Sequence, residues 1–548
     1  MNNLAFPLDI PSLKEYPVFN IKENIPENYF NINKYNEIAF TILKHLDFAF
    51  NECNQLLLKN SVNKNNNLIV LFYHHINGLL CSYYFSIKEI QEINYLHKNL
   101  TYTDQEKEWA ISYSQIKPND NKNLWLSQYK LKNSIKKLRN RFNDYIGNLN
   151  LNTYEKNTKV FIHPGVSQEL DTIIEELKKK NIRVHNNVKY FENRVNILLY
   201  KEQLFIIKNN LNNLIDDLKT ITKIKAFTNK ELYHTISEKI IKHIELKDNK
   251  KYNYDLVILD SLGNLESRKI AIQCKLQNIP LMGVSHGESI GDLDEPLFGA
   301  VEQAYLDYYI GYGQKGCDVF KLGMYNKNLF NDDLIIIPSN SNKVLKIYEN
   351  KYINKINAFK SSHVMYVPTS FNGNARYGPF RDIHDFAYLS WQLELLNAIK
   401  KDLMPLKLTI KFHPKDRFNF YLDIPELEVI KNGNLSDNID KSDVFIFDFP
   451  TSAFSLALAT NKPVIYFDIG LRNLSKIALE DIKKRCIYIR ANPLNAADAI
   501  NKVSKCMADK KTNHYTENYS LCDGTKSREE SIISAIHSII SPFNNLKS

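Results

Sequence analysis

The feature that most constrains the fold is an alternation of short apolar runs with helical patterns from residue 158 onward. Residues 254–260 (YDLVILD) are almost continuously apolar and end in an acid, which is typical of a strand covered on both faces. A helix is predicted over 266–277, and the next strand over 280–284. Strand, helix and strand in this order predict a β-α-β unit within a doubly wound parallel sheet.

The alternation occurs in two series. The first series predicts strands at 159–163, 181–185, 254–260, 280–284, 306–310 and 334–337. The second series predicts strands at 363–368, 406–412, 427–430, 443–448, 463–467 and 486–490. We therefore expect an α/β protein in which two Rossmann-like domains face each other across a cleft.

The predicted domain limits follow from these two series. The first Rossmann-like domain is expected over 158–344 and the second over 345–525. Residues 1–157 are expected to form a mainly helical N-terminal extension, and 526–548 a C-terminal helix that packs back on the body.

Composition places the chain among ordinary globular proteins. Its 548 residues are 44% hydrophobic, and the net charge of 71 − 61 = +10 is modest for this length. The seven cysteines are scattered, which favours reduced thiols. The sequence shows no secretory signal and no apolar run of about 20 residues. We expect a cytoplasmic protein, with peripheral contact to the inner membrane face left open.

Four strand-exit segments carry polar side chains, and ligands of open parallel sheets bind beyond the carboxyl ends of strands. The first segment is 284–288 (VSHGE). Its imidazole and carboxylate, His286 and Glu288, are candidate general bases. Ser285 and Gly287 are expected to line the cleft, and Gly287 would allow a sharp turn or a close approach of substrate.

The second segment is 411–417 (KFHPKDR). Pro414 ends the predicted strand and restricts the loop. His413, Lys415 and Arg417 then supply hydrogen-bond donors suited to a phosphate. A protonated His413 would also assist the departure of that phosphate.

The third segment, 448–455 (DFPTSAFS), joins a predicted strand to a predicted helix. Thr451 or Ser452 is a natural N-cap. Together with Ser455 and the free N–H groups of the helix start, these hydroxyls form a candidate anion site. Asp448 is expected to line the cleft.

The fourth segment is the polar loop 368–379 (PTSFNGNARYGP). Its length, glycines and arginine fit a loop that lines a cleft, with Thr369, Ser370, Asn372 and Arg376 facing the ligand. A plain surface loop is the open alternative.

Two further motifs are not expected to bind ligands. Residues 311–316 (GYGQKG) match the dinucleotide pattern G-x-G-x-x-G, but they follow a late strand and lack a strand-terminal acid at the required distance. Asp292 and Asp294 resemble a metal-binding D-x-D, yet we predict no metal site. His163, in a second His-Pro pair, is a candidate to line the cleft from the opposite side.

The order of these motifs resembles the GT-B glycosyltransferase superfamily. The motifs are S-H-G-x after a first-domain strand, K-F-H-P with basic followers, and D-x-x-T-S-x-x-x-x-A-L-A-x-x-x-P-V-I-Y. Within the superfamily they are most similar to the group that contains CDP-glycerol glycerophosphotransferases, bacterial polysialyltransferases and capsule Kdo transferases. The resemblance covers roughly residues 250–505.

The resemblance implies an enzyme class. It implies a GT-B glycosyltransferase that requires no metal or other cofactor and uses a nucleotide-sugar donor. The acceptor would be a glycan, a lipid-linked molecule or a protein. The implied pathway is the biosynthesis of bacterial surface polysaccharide, such as capsule or lipopolysaccharide.

The resemblance also implies roles for individual residues. His413 would contact the donor phosphate, and Thr451, Ser452 and Ser455 would hold the same phosphate or the nucleotide. His286 corresponds to the proposed base of the glycerophosphotransferases, and Glu288 is its rival. The second domain lacks the E-x(7)-E pattern of many enzymes that use UDP-sugars, which favours a CMP- or CDP-linked donor.

Two alternatives stay open at this point. A UDP-N-acetylhexosamine 2-epimerase-like isomerase would have the same pair of domains and would also use His and acidic residues. A non-catalytic GT-B scaffold protein would keep the fold without the reaction. Nucleic-acid binding is not expected, because the sequence has no basic-aromatic stripe.

Overall fold

A computed structural model of the chain describes most of both predicted domains. The described residues are 32–69, 158–163, 170–187, 197–222, 252–260, 262, 265–285, 287–294, 302–303, 305–322, 334–350, 362–371, 385–414, 424, 426–506, 514–522 and 527–545.

The first domain is built on a six-stranded parallel sheet with the order β2-β1-β3-β4-β5-β6. Its strands are β1 (Lys159–Ile162), β2 (Arg183–His185), β3 (Leu256–Leu259), β4 (Leu281–Val284), β5 (Tyr308–Tyr312) and β6 (Ile335–Ser339). The strand order reverses between β1 and β3, so the topological switch point of this sheet lies there.

The second domain is built on another six-stranded parallel sheet, with the order β12-β11-β10-β7-β8-β9. Its strands are β7 (His363–Val367), β8 (Lys407–Lys411), β9 (Leu427–Ile430), β10 (Val444–Phe447), β11 (Val464–Asp468) and β12 (Ile487–Arg490). The switch point lies between β7 and β10. The predicted fold class is confirmed, and no observed strand end differs from its predicted position by more than two residues.

Helices cover both faces of each sheet. The helices before β7 are α1 (Ile32–Lys59), α2 (Leu170–Lys179), α3 (Tyr200–Thr222), α4 (Leu265–Leu276), α5 (Gln314–Leu322) and α6 (Asn342–Asn350). The helices after β7 are α7 (Asp385–Ala398), α8 (Ser452–Ala459), α9 (Lys476–Arg485), α10 (Ala496–Cys506), α11 (His514–Tyr519) and α12 (Arg528–Asn545).

Strand β3 illustrates why these residues form a doubly covered sheet. Leu256 and Ile258 pack into the core formed with α2 and α12, whereas Val257 and Leu259 pack into the core formed with α1, α3 and α4. Alternate side chains of a strand point to opposite faces. A strand that is apolar at every position is therefore stable only when helices cover both faces.

The chain crosses between the two domains twice. Helix α6 follows β6 of the first sheet, yet Val344 and Ile347 pack into the core of the second domain. Helix α12 follows the second domain, yet Ile532 and Ile536 pack against the strands of the first sheet. The two domains therefore share helices and are joined by more than a single linker.

A backbone connection also joins the two domains. A short 3-10 helix after β4 (Glu288–Asp292) leads into Leu293, which forms an antiparallel bridge with Leu474 of the second domain. The Asp294 N–H donates to the Asn473 carbonyl, and the Ser475 N–H donates to the Asp292 carbonyl, both at 2.8 Å. We call this connection the interdomain strap.

The glycines of the G-x-G-x-x-G match have a packing role. A Cβ on Gly313, whose φ is +58°, would overlap the Tyr519 backbone, and one on Gly316 would lie 3.3 Å from the Tyr519 carbonyl oxygen. A Cβ on Gly311 would press on the Cys317 sulfur. The small residues let α5 approach α11 closely at the junction of the domains.

The described part of the predicted N-terminal extension is built into the first domain. Helix α1 lies against α3, and Ile42, Leu46 and Cys53 belong to the same core as Phe161. Residues 1–31 and 70–157 lie outside the described residues. No helix in the described part of the chain is long and apolar enough to cross a membrane.

The packing of α12 predicts a large stability loss on truncation of a buried side chain. Ile536 is fully buried against the first sheet. We expect Ile536→Ala to lower the free energy of unfolding by about 2–5 kcal/mol, because it removes buried methyl groups and leaves a cavity. The measurement is the urea unfolding midpoint, and Ser534→Ala on the exposed side of the same helix is the control. Equal midpoints for the two variants would contradict the packing of α12.

Candidate functional site

A cavity of about 720 Å³ lies between the carboxyl ends of the two sheets. Its first wall is formed mainly by residues that follow β3, β4, β5 and β6, and its second wall by residues that follow β7, β8, β9, β10 and β11. The volume is within the usual range for a small-molecule site. The two domains therefore share one cleft at the position where parallel sheets bind ligands.

The first wall is centred on the exit of β4, with Ser285, Gly287 and Glu288 lining the cavity. The Glu288 side chain is 9% exposed, and the Ser341 hydroxyl donates to Glu288 Oε1 at 2.9 Å. This bond orients the carboxylate from the start of α6. His286 lies outside the described residues, so its predicted role stays a prediction.

The second wall contains the start of α8. Thr451 is the N-cap residue, but its hydroxyl makes no capping bond, and Thr451 Oγ1 has no hydrogen-bond partner among the described residues. Within the same residues, no acceptor faces the backbone N–H groups of Ser452 and Ala453. Free N–H groups and the helix dipole together make this helix start suited to an anion.

His413 lines the same cavity as Thr451 and Ser452. It leaves β8 beside Lys411, whose ammonium donates to the Phe412 carbonyl at 2.8 Å. Burial lowers the pKa of Lys411. Lys415 and Arg417, predicted to extend this cluster, lie outside the described residues, as do Asn372 and Arg376 of the fourth segment.

The two walls approach each other closely where Gly287 faces Ser452. A Cβ added to Gly287 would lie 3.3 Å from Ser452 Oγ. The extended backbone at Gly287, with φ −155°, is open to any residue. The constraint at this position is therefore one of space and not of backbone conformation, since Ser452 Oγ would have to shift by a few tenths of an ångström to admit a Cβ.

Four predicted residues do not line the cavity. Asp448 is fully buried inside the second domain, where its carboxylate accepts from the Tyr366 and Tyr388 hydroxyls and from Trp391 Nε1. Ser455 is fully buried beside Tyr515, one helical turn behind Thr451. Thr369 and Ser370 lie just beyond the lining residues of β7, and the Thr369 N–H donates to the Tyr388 hydroxyl. These side chains follow the right strands but belong to the core or to the loop behind the wall.

The structure adds lining residues that sequence reasoning missed. Asp260 follows β3 at the switch point of the first sheet and lines the cavity, and its Oδ1 lies 3.4 Å from His163 Nδ1. Asp260 could have been found as the acid that ends the apolar run 254–260. His163 contacts the wall through Asp260 and does not line the cavity itself.

Two cationic side chains were also missed. Lys343, in the first turn of α6, lines the cavity and has no acid partner among the described residues. Arg472 follows β11, and its guanidinium lies 5.2 Å from the centre of the Phe449 ring, which also lines the cavity. No local pattern marks either residue, because both reach the cleft through the packing of the domains.

Charge is divided between the walls. Among the described lining residues, both acids, Asp260 and Glu288, come from the first domain. Lys411, His413 and Arg472 come from the second domain, as does the start of α8, and Lys343 at the start of α6 is the one cationic lining residue of the first wall among the described residues. The first wall thus holds both acids together with Lys343, and the second wall holds the other cationic groups and a helix start that suit an anion.

Asp292 of the D-x-D pattern is a buried link and does not bind a ligand in the cavity. It is fully buried, and the Tyr515 hydroxyl donates to its Oδ2 at 2.5 Å. Burial raises the pKa of Asp292 to about 7, although the bond from Tyr515 opposes this effect. Among the residues that the structure describes, no cluster of three or more His, Cys, Asp or Glu side chains could hold a metal ion.

Comparisons with known proteins find similarity of overall structure only. No family model matches the chain, and no curated protein matches it. Among solved structures, MurG from Acinetobacter baumannii is 8% identical, with a TM-score of 0.34 over 70% of this chain and 99% of that chain. The glycotransferase of kitacinnamycin is 10% identical, with a TM-score of 0.35 over 71% and 100%. UDP-GlcNAc 2-epimerase from Neisseria meningitidis is 11% identical, with a TM-score of 0.32 over 70% and 100%. At such scores the likeness carries no inference, and the two-domain architecture is established by the strand pairing itself.

The buried Asp292 predicts a pH dependence of stability. Its pKa of about 7 in the folded chain exceeds its ordinary value of 3.8, so the folded chain keeps a proton that the unfolded chain releases. The stability contributed by protonated Asp292 is therefore complete below about pH 4 and is lost as pH rises through 7. Asp292→Asn mimics the protonated acid at every pH. Its free energy of unfolding should therefore exceed that of the original chain by a difference that grows as the pH rises from 5 and reaches a few kcal/mol by pH 8.

The measurement is the thermal unfolding midpoint at pH 5, 6, 7 and 8. Asp216→Asn is the control, because Asp216 is 73% exposed and should leave the pH profile unchanged. A constant difference between Asp292→Asn and the original chain at all four pH values would contradict the assignment.

Proposed function

We propose that this chain is a glycosyltransferase that transfers a group from a nucleotide-activated sugar donor to an acceptor hydroxyl. The observation that carries the proposal is the arrangement of charge in the shared cavity: both carboxylates lie on the first wall beside Lys343, and the second wall holds Lys411, His413, Arg472 and a helix start. Group transfer of this kind needs a base for the acceptor and charge stabilisation for the leaving phosphate. The two walls supply the two requirements.

The donor phosphate would bind the second wall. The N–H groups of Ser452 and Ala453 and the hydroxyl of Thr451 are suited to donate to its oxygens, because they have no other partner among the described residues. His413 would contact the phosphate and protonate it, or stabilise its charge, as the bond to the sugar breaks. Arg472 adds a positive charge that is held close by the Phe449 ring.

The acceptor would bind the first wall. Its hydroxyl oxygen attacks the sugar carbon while the proton passes to a base, and the electron pair of the breaking bond leaves on the phosphate oxygen. Glu288 is a candidate for that base, because it lines the cavity and is oriented by Ser341. His286 is the rival, being two residues earlier in the same exit segment. Closure of the cleft would exclude water from the reacting groups.

The finer assignment rests on the sequence resemblance. We propose a CMP- or CDP-linked donor, metal-independent transfer and a role in the biosynthesis of bacterial surface polysaccharide, capsule or lipopolysaccharide. The acceptor would be a glycan, a lipid-linked molecule or a protein. The enzyme would act in the cytoplasm, with peripheral contact to the inner membrane face when the acceptor is lipid-linked.

Nucleotide binding tests the second wall. In a thermal-shift panel of CMP, CDP, UDP, GDP and ADP, we expect a cytidine nucleotide to raise the unfolding midpoint. His413→Ala and Thr451→Val should weaken binding by about tenfold each, because each removes a hydrogen bond to a charged phosphate. Lys502→Ala, an exposed change on α10, is the control and should keep the full shift.

The panel also separates the alternatives. A shift by UDP alone, with interconversion of free UDP-sugars in the absence of an acceptor, would favour the isomerase. The absence of any shift with all five nucleotides would overturn the proposed function and favour a non-catalytic scaffold.

Replacement of the candidate bases tests the first wall. Water serves as the acceptor probe, and the rate measured is nucleotide release from CMP-, CDP- and UDP-linked donors. If Glu288 is the base, Glu288→Gln should lower this rate by about 10²–10⁴-fold and leave the nucleotide thermal shift unchanged. The exposed Glu480→Gln is the control. Full activity of Glu288→Gln together with loss of activity in His286→Ala would assign the base to His286.

A further inference from the structure

A single side chain from the C-terminal helix reaches three of the strand exits that form the first wall. Arg528, the first residue of α12, is fully buried. Its Nη2 donates to the Ser285 carbonyl at 2.7 Å, and its Nη1 donates to the Ser339 hydroxyl at 3.3 Å. Its guanidinium lies 3.7 Å from the centre of the Tyr312 ring. Ser285 follows β4, Tyr312 ends β5 and Ser339 ends β6.

The position of this arginine is unfavourable for the helix. A helix N-terminus carries partial positive charge, which disfavours a cation in the first turn. The start of α12 is already stabilised by a capping box between Ser527 and Glu530, with bonds of 3.0 and 3.2 Å. Arg528 is therefore not needed to begin the helix.

Its burial is also costly. No carboxylate among the described residues forms an ion pair with Arg528, and its acceptors are a carbonyl, a hydroxyl and an aromatic ring. A buried charge without a counter-charge is unfavourable unless its surroundings compensate. Arg528 is nevertheless buried at this position. Its side chain contacts residues that end or follow the strands of the cavity wall.

The contacts continue from Arg528 into the wall itself. The Ser285 N–H donates to the Ile310 carbonyl at 2.9 Å, and the Ser285 hydroxyl donates to the Gly287 carbonyl at 3.2 Å. With Arg528 on its carbonyl, every polar atom of Ser285 is engaged. Gly287 and Glu288 follow two and three residues later, and the bond from the Ser285 hydroxyl to the Gly287 carbonyl couples their position to that of Ser285.

A second set of hydrogen bonds joins the start of α12 to the start of α6, which belongs to the same wall. The Arg528 N–H donates to Asn342 Oδ1 at 2.8 Å, and Asn342 Nδ2 donates to Glu529 Oε2 at 2.6 Å. Asn342 lines the cavity and lies next to Ser341, which orients Glu288. Arg528 thus contacts both the exit segment that carries Glu288 and the start of α6, next to the Ser341 that orients Glu288.

We propose that Arg528 is the positioning residue of the first wall, holding the exit segment of β4 so that Glu288 faces the cavity. The consequence for catalysis rests on the proposed function, whereas the positioning does not. Arg528 itself touches no reacting group and acts through Ser285. The C-terminal helix is thereby part of the machinery of the cleft as well as part of the core.

Local hydrogen exchange, followed by mass spectrometry of peptides that span 285–293, tests the positioning without any ligand. Arg528→Met keeps the length of the side chain but removes the bonds to Ser285 and Ser339. We expect exchange of the 285–293 amides to become at least about tenfold faster, because fewer bonds oppose local opening. Arg528→Lys keeps the charge and one donor nitrogen. It should therefore retain part of the protection that Arg528→Met loses.

Arg268→Met is the matched control. Arg268 is also fully buried in the first domain, stacks on a tyrosine, Tyr305, at 5.6 Å and donates to its hydroxyl at 3.4 Å, but it does not line the cavity. It should lower the unfolding midpoint and leave exchange at 285–293 unchanged. Equal exchange in this segment for Arg528→Met, Arg268→Met and the original chain would overturn the proposal. If Arg528→Met does not fold, faster exchange in Arg528→Lys supports the proposal and unchanged exchange overturns it.

Nucleotide binding and turnover, measured on the same variants, test the positioning role of Arg528 separately from the proposed function. With CDP and CMP as binding probes, Arg528→Met should keep the thermal shift of the original chain while nucleotide release from the donor falls by about tenfold or more. Loss of the nucleotide shift in Arg528→Met alone would place its effect on the second wall and contradict the positioning role. A chain that binds no nucleotide before any substitution would refute the proposed function and leave the exchange result standing.

Discussion

Burial of both faces of each sheet is the interaction on which the rest of the structure depends. Strands such as β3 and β10 are apolar at every position, and each becomes stable only when helices lie on both sides. The helices that cover the faces also return the chain to the start of the next strand, so the strands run parallel. Parallel strands send all their carboxyl ends to one edge, and the polar residues that follow the strands are collected there.

The cleft arises because the carboxyl edges of the two sheets face each other. The interdomain strap, from Asp292 to Asp294 and from Asn473 to Ser475, joins the domains beside the cavity. Helix α11 packs between α5 of the first domain and α9 of the second, where Lys315 forms an ion pair with Asp481. These contacts hold Asp260 and Glu288 of the first wall opposite Lys411, His413 and Arg472 of the second.

The sequence predicted the architecture well because its signal is local. Each buried strand is a short apolar run, and each exit segment follows it directly. The parallel order of strands therefore places His413, Thr451 and Ser452 at one sheet edge and Glu288 at the other, and the prediction of one shared cleft also needed the expectation that the two domains face each other. Helices α9 and α11 carry no such local signal. Both are short and rich in polar residues, and their burial comes from packing at the domain junction and not from a clear apolar stripe.

The residues themselves determined which segments become strands, where the helices lie and which polar groups follow each strand, because these properties depend on near neighbours along the chain. Only the tertiary structure decided which of those groups line the cavity. Asp448 and Ser455 follow the right strand, yet three donors enclose Asp448 in the core, and Ser455 lies on the inner face of α8. Lys343 and Arg472 reach the cleft, and Arg528 reaches the residues behind its first wall, from distant parts of the chain, since their positions are set by packing across the two domains, which no local pattern encodes.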